Sequence, residues 1–107
     1  MAEFKKDRLE NFLAVVRKYM QLRGGMSQKD LAEETDTGVS TMSRFLSQKT
    51  TEFNPQLIAK ITAKLNIPIH EMVDFVEDDF VERFTRLVKF YKDELGPEPD
   101  LEAKPAM

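Results

Sequence analysis

The sequence predicts an all-α fold of five helices around one core, followed by an additional amphipathic C-terminal helix. Three observations predict it. Apolar residues recur at helical spacing along most of the chain, and no stretch alternates as a half-buried strand would. Helix boundaries are written in residue types: Ser27 before "QKD", Asn54 before Pro55, and Gly24–Gly25 between two apolar runs. The length of 107 residues suits one domain with a modest core.

The first helix carries Phe4, Leu9, Phe12, Leu13, Val16, Tyr19 and Met20 on one broad face. It ends at Gly24 and Gly25, which supply the positive φ that helix ends favour. Ser27 opens the second helix. An acid three positions on, Asp30, lets cap and acid satisfy orphan amides reciprocally. Leu31 and Ala32 point inward, and this helix fades at Thr35 and Asp36. A third helix is expected over residues 39–47, capped by Gly38 or Thr37, with a polar loop to residue 53. Asn54 and Pro55 start the fourth, a capping side chain followed by proline at the first helical position. Its buried stripe is Leu57, Ile58, Ile61 and Leu65.

Pro68 sets off a short fifth helix with Ile69, Met72, Val73 and Phe75. The run "VEDDFVERFTRLVKFYKDEL" is the sixth. Asp78 and Asp79 complement its positive end, and Asp79–Arg83 and Glu82–Arg86 pair acid before base at i,i+4. At 100° per residue its apolar side chains span an arc of about 180°, against about 100° for an ordinary surface helix. One edge is expected to pack on the first and fifth helices. The other would meet the same helix of a second subunit, giving a homodimerisation set of Phe80, Val81, Phe84, Leu87, Val88, Phe90 and Tyr91. The alternative is that the first helix covers the whole arc in a monomer. Residues 1–75 thus read as one unit, 76–95 as a dimerisation helix, and the acidic, Pro-rich 96–107 as a disordered tail.

Composition narrows the function. Apolar residues make up 41% and charged residues 33%, as in a soluble globular protein, and the absence of cysteine excludes disulfides and thiolate metal sites. No signal-like or membrane-length apolar run is present, so a cytoplasmic location without membrane contact is expected. The net charge of −3 is unevenly placed. Residues 1–70 hold eleven Lys and Arg against eight Asp and Glu, a balance of +3, while residues 71–107 hold five against eleven, a balance of −6. A basic front with an acidic rear fits a protein that presents one face to phosphate. His70, the single histidine, lacks a second ligand or a nucleophile beside it, so neither a metal, a cofactor nor an enzymatic activity is expected.

The stretch "SQKDLAEETDTGVSTMSRFLSQK", residues 27–49, carries the most specific signal. Leu31 and Ala32 on one helix, with Met42 and Phe45 on the next, form a joint that fixes the two at a steep angle. Val39, Ser40, Ser43 and Arg44 then lie on the outward face of the third helix. These compact side chains let a helix sink into a major groove about 12 Å wide. Arg44 can donate twice to guanine, the serines can donate or accept, and Val39 can touch a thymine methyl. Gln28, on the first turn of the second helix, would meet the backbone beside the groove. A well-packed helical hairpin with no ligand remains the plainer reading of the same pattern.

From Gln28 to about residue 72 the chain resembles the lambda-repressor and Cro-like (xenobiotic-response-element type) helix-turn-helix family. The resemblance rests on Gln28, Leu31, Ala32, Met42 and Ser43 at the family's spacing, and on Ile58, Ile61, Leu65 and "NIPIHEM" beyond it. It implies a lambda-repressor-like helix-turn-helix fold and binding to double-stranded DNA. It also implies phosphate contact by Gln28, base reading by Val39, Ser40, Ser43 and Arg44, and phosphate contact by Ser47 and Lys49. The chain departs from the family where the turn normally has glycine and an apolar residue, here Asp36 and Thr37, and where Glu and Gly often close the third helix, here Leu46 and Gln48. The function expected is a small dimeric transcriptional regulator acting at an operator. The alternative is a protein-interaction module or antitoxin-like factor on the same fold, with a protein partner and little DNA binding.

Overall fold

A computed structural model describes residues 3–47 and 53–94 of the chain. Among these residues five α-helices follow in order: α1 (Leu9–Leu22), α2 (Gln28–Glu34), α3 (Val39–Leu46), α4 (Pro55–Leu65) and α5 (Val81–Glu94). Single 3-10 turns stand at Lys6–Arg8, Ile69–Glu71 and Asp78–Phe80. Among the described residues there is no strand, only one isolated antiparallel bridge between Phe4 and Val76.

The residue types that mark helix ends act as the sequence predicts. Gly24 and Gly25 take φ of 84° and 76°. That reversal lets the Met26 amide donate to the Met20 carbonyl at 3.0 Å and the Gly25 amide to Gln21 at 3.3 Å, closing the end of α1. Ser27 and Asp30 form the reciprocal capping box at the start of α2. Asn54 accepts from the amides of Gln56 and Leu57, and Pro55 takes the first position of α4. Asn66 ends α4 in the left-handed region, φ 56°.

α4 is the centre of the molecule. Ile58, Ala59, Ile61, Thr62 and Leu65 are fully buried, and even Lys64 is covered, because α1 packs on one side of the helix and α5 on another. A row of phenylalanine rings runs through the core beside it. Phe45 of α3 meets Phe12 of α1 edge-on at 5.9 Å, Phe12 stacks on Phe75 at 4.7 Å, and Phe75 stacks on Phe4 at 5.1 Å. Phe4 in turn meets Phe84 of α5 edge-on at 5.8 Å. These offset and edge-to-face contacts satisfy the ring quadrupoles while burying large apolar area.

Four expectations are corrected. Phe4 is not on the first helix. Four polar residues separate it from Leu9, which breaks the three-or-four spacing, and its segment is instead held as a strap. The Lys5 amide donates to the Phe75 carbonyl at 2.7 Å and the Glu77 amide to the Glu3 carbonyl at 2.9 Å. The same pairing replaces the expected fifth helix with one 3-10 turn and a further turn, since the Phe75 carbonyl accepts from the strap and the Glu77 amide donates to it, groups that a helix would pair internally. Met72 and Phe75 are buried there, but Val73 is exposed. The sixth helix, α5, begins at Val81 rather than 76 for the same reason. It packs on α4 and the strap. Of its two anticipated ion pairs, Glu82–Arg86 forms at 2.7 Å, whereas Arg83 lies over the Phe80 ring at 5.2 Å. The expected tail, residues 96–107, lies outside the described residues.

Candidate nucleic-acid interface

α2 and α3 are joined by a turn whose chemistry replaces what glycine would supply. Asp36 adopts φ 53°, a left-handed conformation that aspartate tolerates better than most residues. Thr35, fully buried, donates its hydroxyl to the Leu31 carbonyl at 2.8 Å. Thr37 donates to the Thr35 carbonyl at 3.1 Å, and its amide donates to Ala32 at 2.8 Å. The hydroxyls therefore close the turn where an apolar residue would otherwise pack. Behind it, Leu31, Ala32 and Met42 are fully buried and Phe45 and Leu46 nearly so, which fixes α3 against α2.

The far end of α3 is held from α1. Arg17 Nη2 donates to the Leu46 carbonyl at 3.0 Å, satisfying one orphan acceptor of the last turn and placing a cation at its negative end. Sequence reasoning missed Arg17. Its partner is a main-chain carbonyl 29 residues away, and no local pattern encodes that meeting.

With its buried side so defined, α3 presents a polar face. At 100° per residue Ser40 and Arg44 point most directly away from Met42, Phe45 and Leu46. Ser43 and Thr41 flank them, and Val39 stands at one edge, 51% exposed. Thr41 is an exposed neighbour that the sequence reading did not single out. The guanidinium of Arg44 forms no hydrogen bond or ion pair with any described residue. Ser47 is exposed but gives its hydroxyl proton to the Ser43 carbonyl at 2.8 Å. Gln28 is exposed on the first turn of α2, beside the Ser27 cap. Lys49 lies outside the described residues. The flank is mixed in charge: α2 carries Lys29 against Asp30, Glu33 and Glu34, with Asp30 held in its cap and Glu34 bound to Lys64 at 3.1 Å.

The proposed dimerisation set divides. Phe84, Val88 and Phe80 are interior to this chain, at 0%, 3% and 6% exposure, so they cannot form an intersubunit surface. Val81, Leu87 and Tyr91 are half-buried, and Phe90 is 51% exposed. Only the outer edge of α5 is open to a partner.

Elsewhere, Tyr19 and Lys18 of α1 converge on Glu71. The tyrosine hydroxyl donates to Glu71 Oε2 and the lysine approaches Oε1 at 3.2 Å. Chiefly through the tyrosine hydrogen bond, Glu71 is held below the usual carboxylate range, and the phenol is pushed up in return. This cluster fastens α1 to the Ile69–Glu71 turn. Among the described residues no three His, Cys, Asp or Glu side chains are grouped to hold a metal, and no helix is long and apolar enough to cross a membrane.

A short capped helix, a tight turn and a second helix held at both ends, with polar tips facing solvent, define a helix-turn-helix protein. The sequence model of the Cro/C1-type HTH DNA-binding domain matches residues 16–78, more than half of the chain, and the chain belongs to that family. DNA binding, rather than catalysis, is the activity of this class. The match ends before α5, so that helix lies outside the family's shared domain. No curated protein and no solved structure matched the chain.

Proposed function

We propose that this protein is a small dimeric transcriptional regulator that binds a specific operator in double-stranded DNA, in the cytoplasm. Residues 1–75 supply the reading unit and residues 76–95 the pairing helix. α3 enters the major groove with Val39, Ser40, Ser43 and Arg44 toward base edges. Gln28, Lys49 and a Ser47 hydroxyl swung from Ser43 contact phosphate. The observation that carries this reading is the uncommitted guanidinium of Arg44 beside Ser40 on a helix pinned by Arg17 and the buried joint. A two-fold dimer sets two such helices about 34 Å apart, as half-sites on one side of a duplex require.

A mobility-shift assay on the DNA flanking its own gene tests this. Binding should be specific and fall steeply with salt. Arg44→Ala should relax preference at one base position, at a cost of about 1–3 kcal/mol. Equal binding to unrelated duplexes, unchanged by Arg44→Ala, would sink the proposal.

A second reading, an interaction module or antitoxin-like factor with a protein partner, is favoured by the acids of α2 and by the exposed Asp36 beside the α3 face. It predicts capture of that partner by the chain and no retarded duplex.

A further inference from the structure

We infer that α5 pairs with α5 of a second copy in antiparallel orientation, along a stripe of Arg83, Leu87, Phe90 and Glu94. This rests on the dimeric reading above and gives it an orientation and a register. The four residues follow at steps of four, three and four, the spacing of a coiled-coil seam. At 100° per residue they fall within about 60° of one another, on a flank of α5 centred about 90° from buried Phe84 and about 130° from buried Val88. Among the described residues Phe90 is the bulkiest of the exposed large apolar side chains, which otherwise are Leu22, Val39 and Val73.

Charge selects the direction. Neither Arg83 nor Glu94 has an ion-pair partner among the described residues. In a parallel pair each would face its own kind. In an antiparallel pair centred between Val88 and Lys89, Arg83 faces the second copy's Glu94 at both ends. The same register sets Leu87 against the second copy's Phe90, twice. A single helix face therefore complements itself, as a two-fold interface must.

The seam is also ordered in advance. Phe90 leans edge-on against Tyr91 at 5.1 Å, and Lys60 of α4 lies over the Tyr91 ring at 5.5 Å. Arg83 is steadied over Phe80 at 5.2 Å. Side chains already held lose less freedom on pairing. Four residues per copy make a short interface, so self-association in the micromolar range is expected.

Sedimentation of the full chain without DNA, over a concentration series, tests the seam. Wild type should dimerise, and Phe90→Ala should weaken the dimer at least tenfold. Arg83→Glu and Glu94→Arg should each weaken it roughly tenfold, because two attractive contacts become repulsive. Mixing those two variants should restore pairing as a heterodimer, which no loss of folding could imitate. A wild-type monomer at high micromolar concentration, a dimer indifferent to all three substitutions, or a mixture no tighter than its components would overturn the inference. A mobility shift on the same samples separates the two claims. A monomer that still retards its operator loses the seam and keeps the DNA reading, and a dimer that retards nothing does the reverse.

Discussion

Arg17 in the middle of α1 donates to the carbonyl of Leu46, the last residue of α3. Two elements far apart in sequence are thus joined at the end of α3 that the α2–α3 turn does not control. Removing this hydrogen bond leaves the end of α3 to fray and withdraws a cation from its negative pole. Arg17→Ala should lower stability by about 0.5–1.5 kcal/mol, read in a thermal or urea melt, and weaken DNA binding. Arg17→Lys, which keeps charge and a donor, should recover part of both.

The left-handed φ at Asp36 sits where glycine would carry no steric cost. Asp36→Gly should therefore raise stability by about 0.5 kcal/mol, since no hydrogen bond of the Asp36 side chain is lost. Asp36→Val, β-branched and forced to positive φ, should lower it by about 1–2 kcal/mol. The two melts should move in opposite directions.

Lys64 of α4 is 7% exposed and reaches the half-exposed Glu34 of α2 at 3.1 Å. Glu34→Gln strands a covered ammonium without its counter-charge. We expect a loss of about 1–2 kcal/mol, below the cost of a fully buried pair because Glu34 stands partly in water. Lys64→Met replaces the stem with apolar volume and should be close to neutral. Urea titration of the two variants distinguishes breaking a pair from removing it.

The Tyr19–Glu71 contact predicts a pH dependence with a definite sign. A carboxylate held below its ordinary value in the folded state contributes stability above that value and loses it as the pH falls through the folded value. The melting temperature should thus drop from neutral pH to about pH 3, partly through Glu71. In Glu71→Gln that acid-induced drop should be smaller, while its melting temperature at neutral pH lies below that of wild type. Tyr19, pushed up, gives the opposite dependence, lost as the pH rises through its folded value. Melts of Glu71→Gln and wild type across acid pH check the first, and Tyr19→Phe at alkaline pH the second.

Much was legible in the sequence because it is local. Ser27–Asp30, Gly24–Gly25 and Asn54–Pro55 satisfy or reverse the chain within a few residues, and each does so as its residue types require. The all-helical class, the α2–α3 pair and the outward face bearing Ser40 and Arg44 follow from spacing alone, since helical period decides which side chains share a face. What spacing could not decide is which groups meet across the chain. Spacing can take Phe4 off the first helix, but only the bridge to Val76 shows where it goes, and that pairing also denies the fifth helix its form and delays α5. Phe80, Phe84 and Val88 look available to a partner until Phe4 and α4 bury them. The sequence by itself determined helices, caps and the polar tips of α3. Tertiary structure decided the strap, the Arg17 tether and the narrow edge of α5 left open, because those depend on burial and hydrogen-bond partners supplied from distant segments.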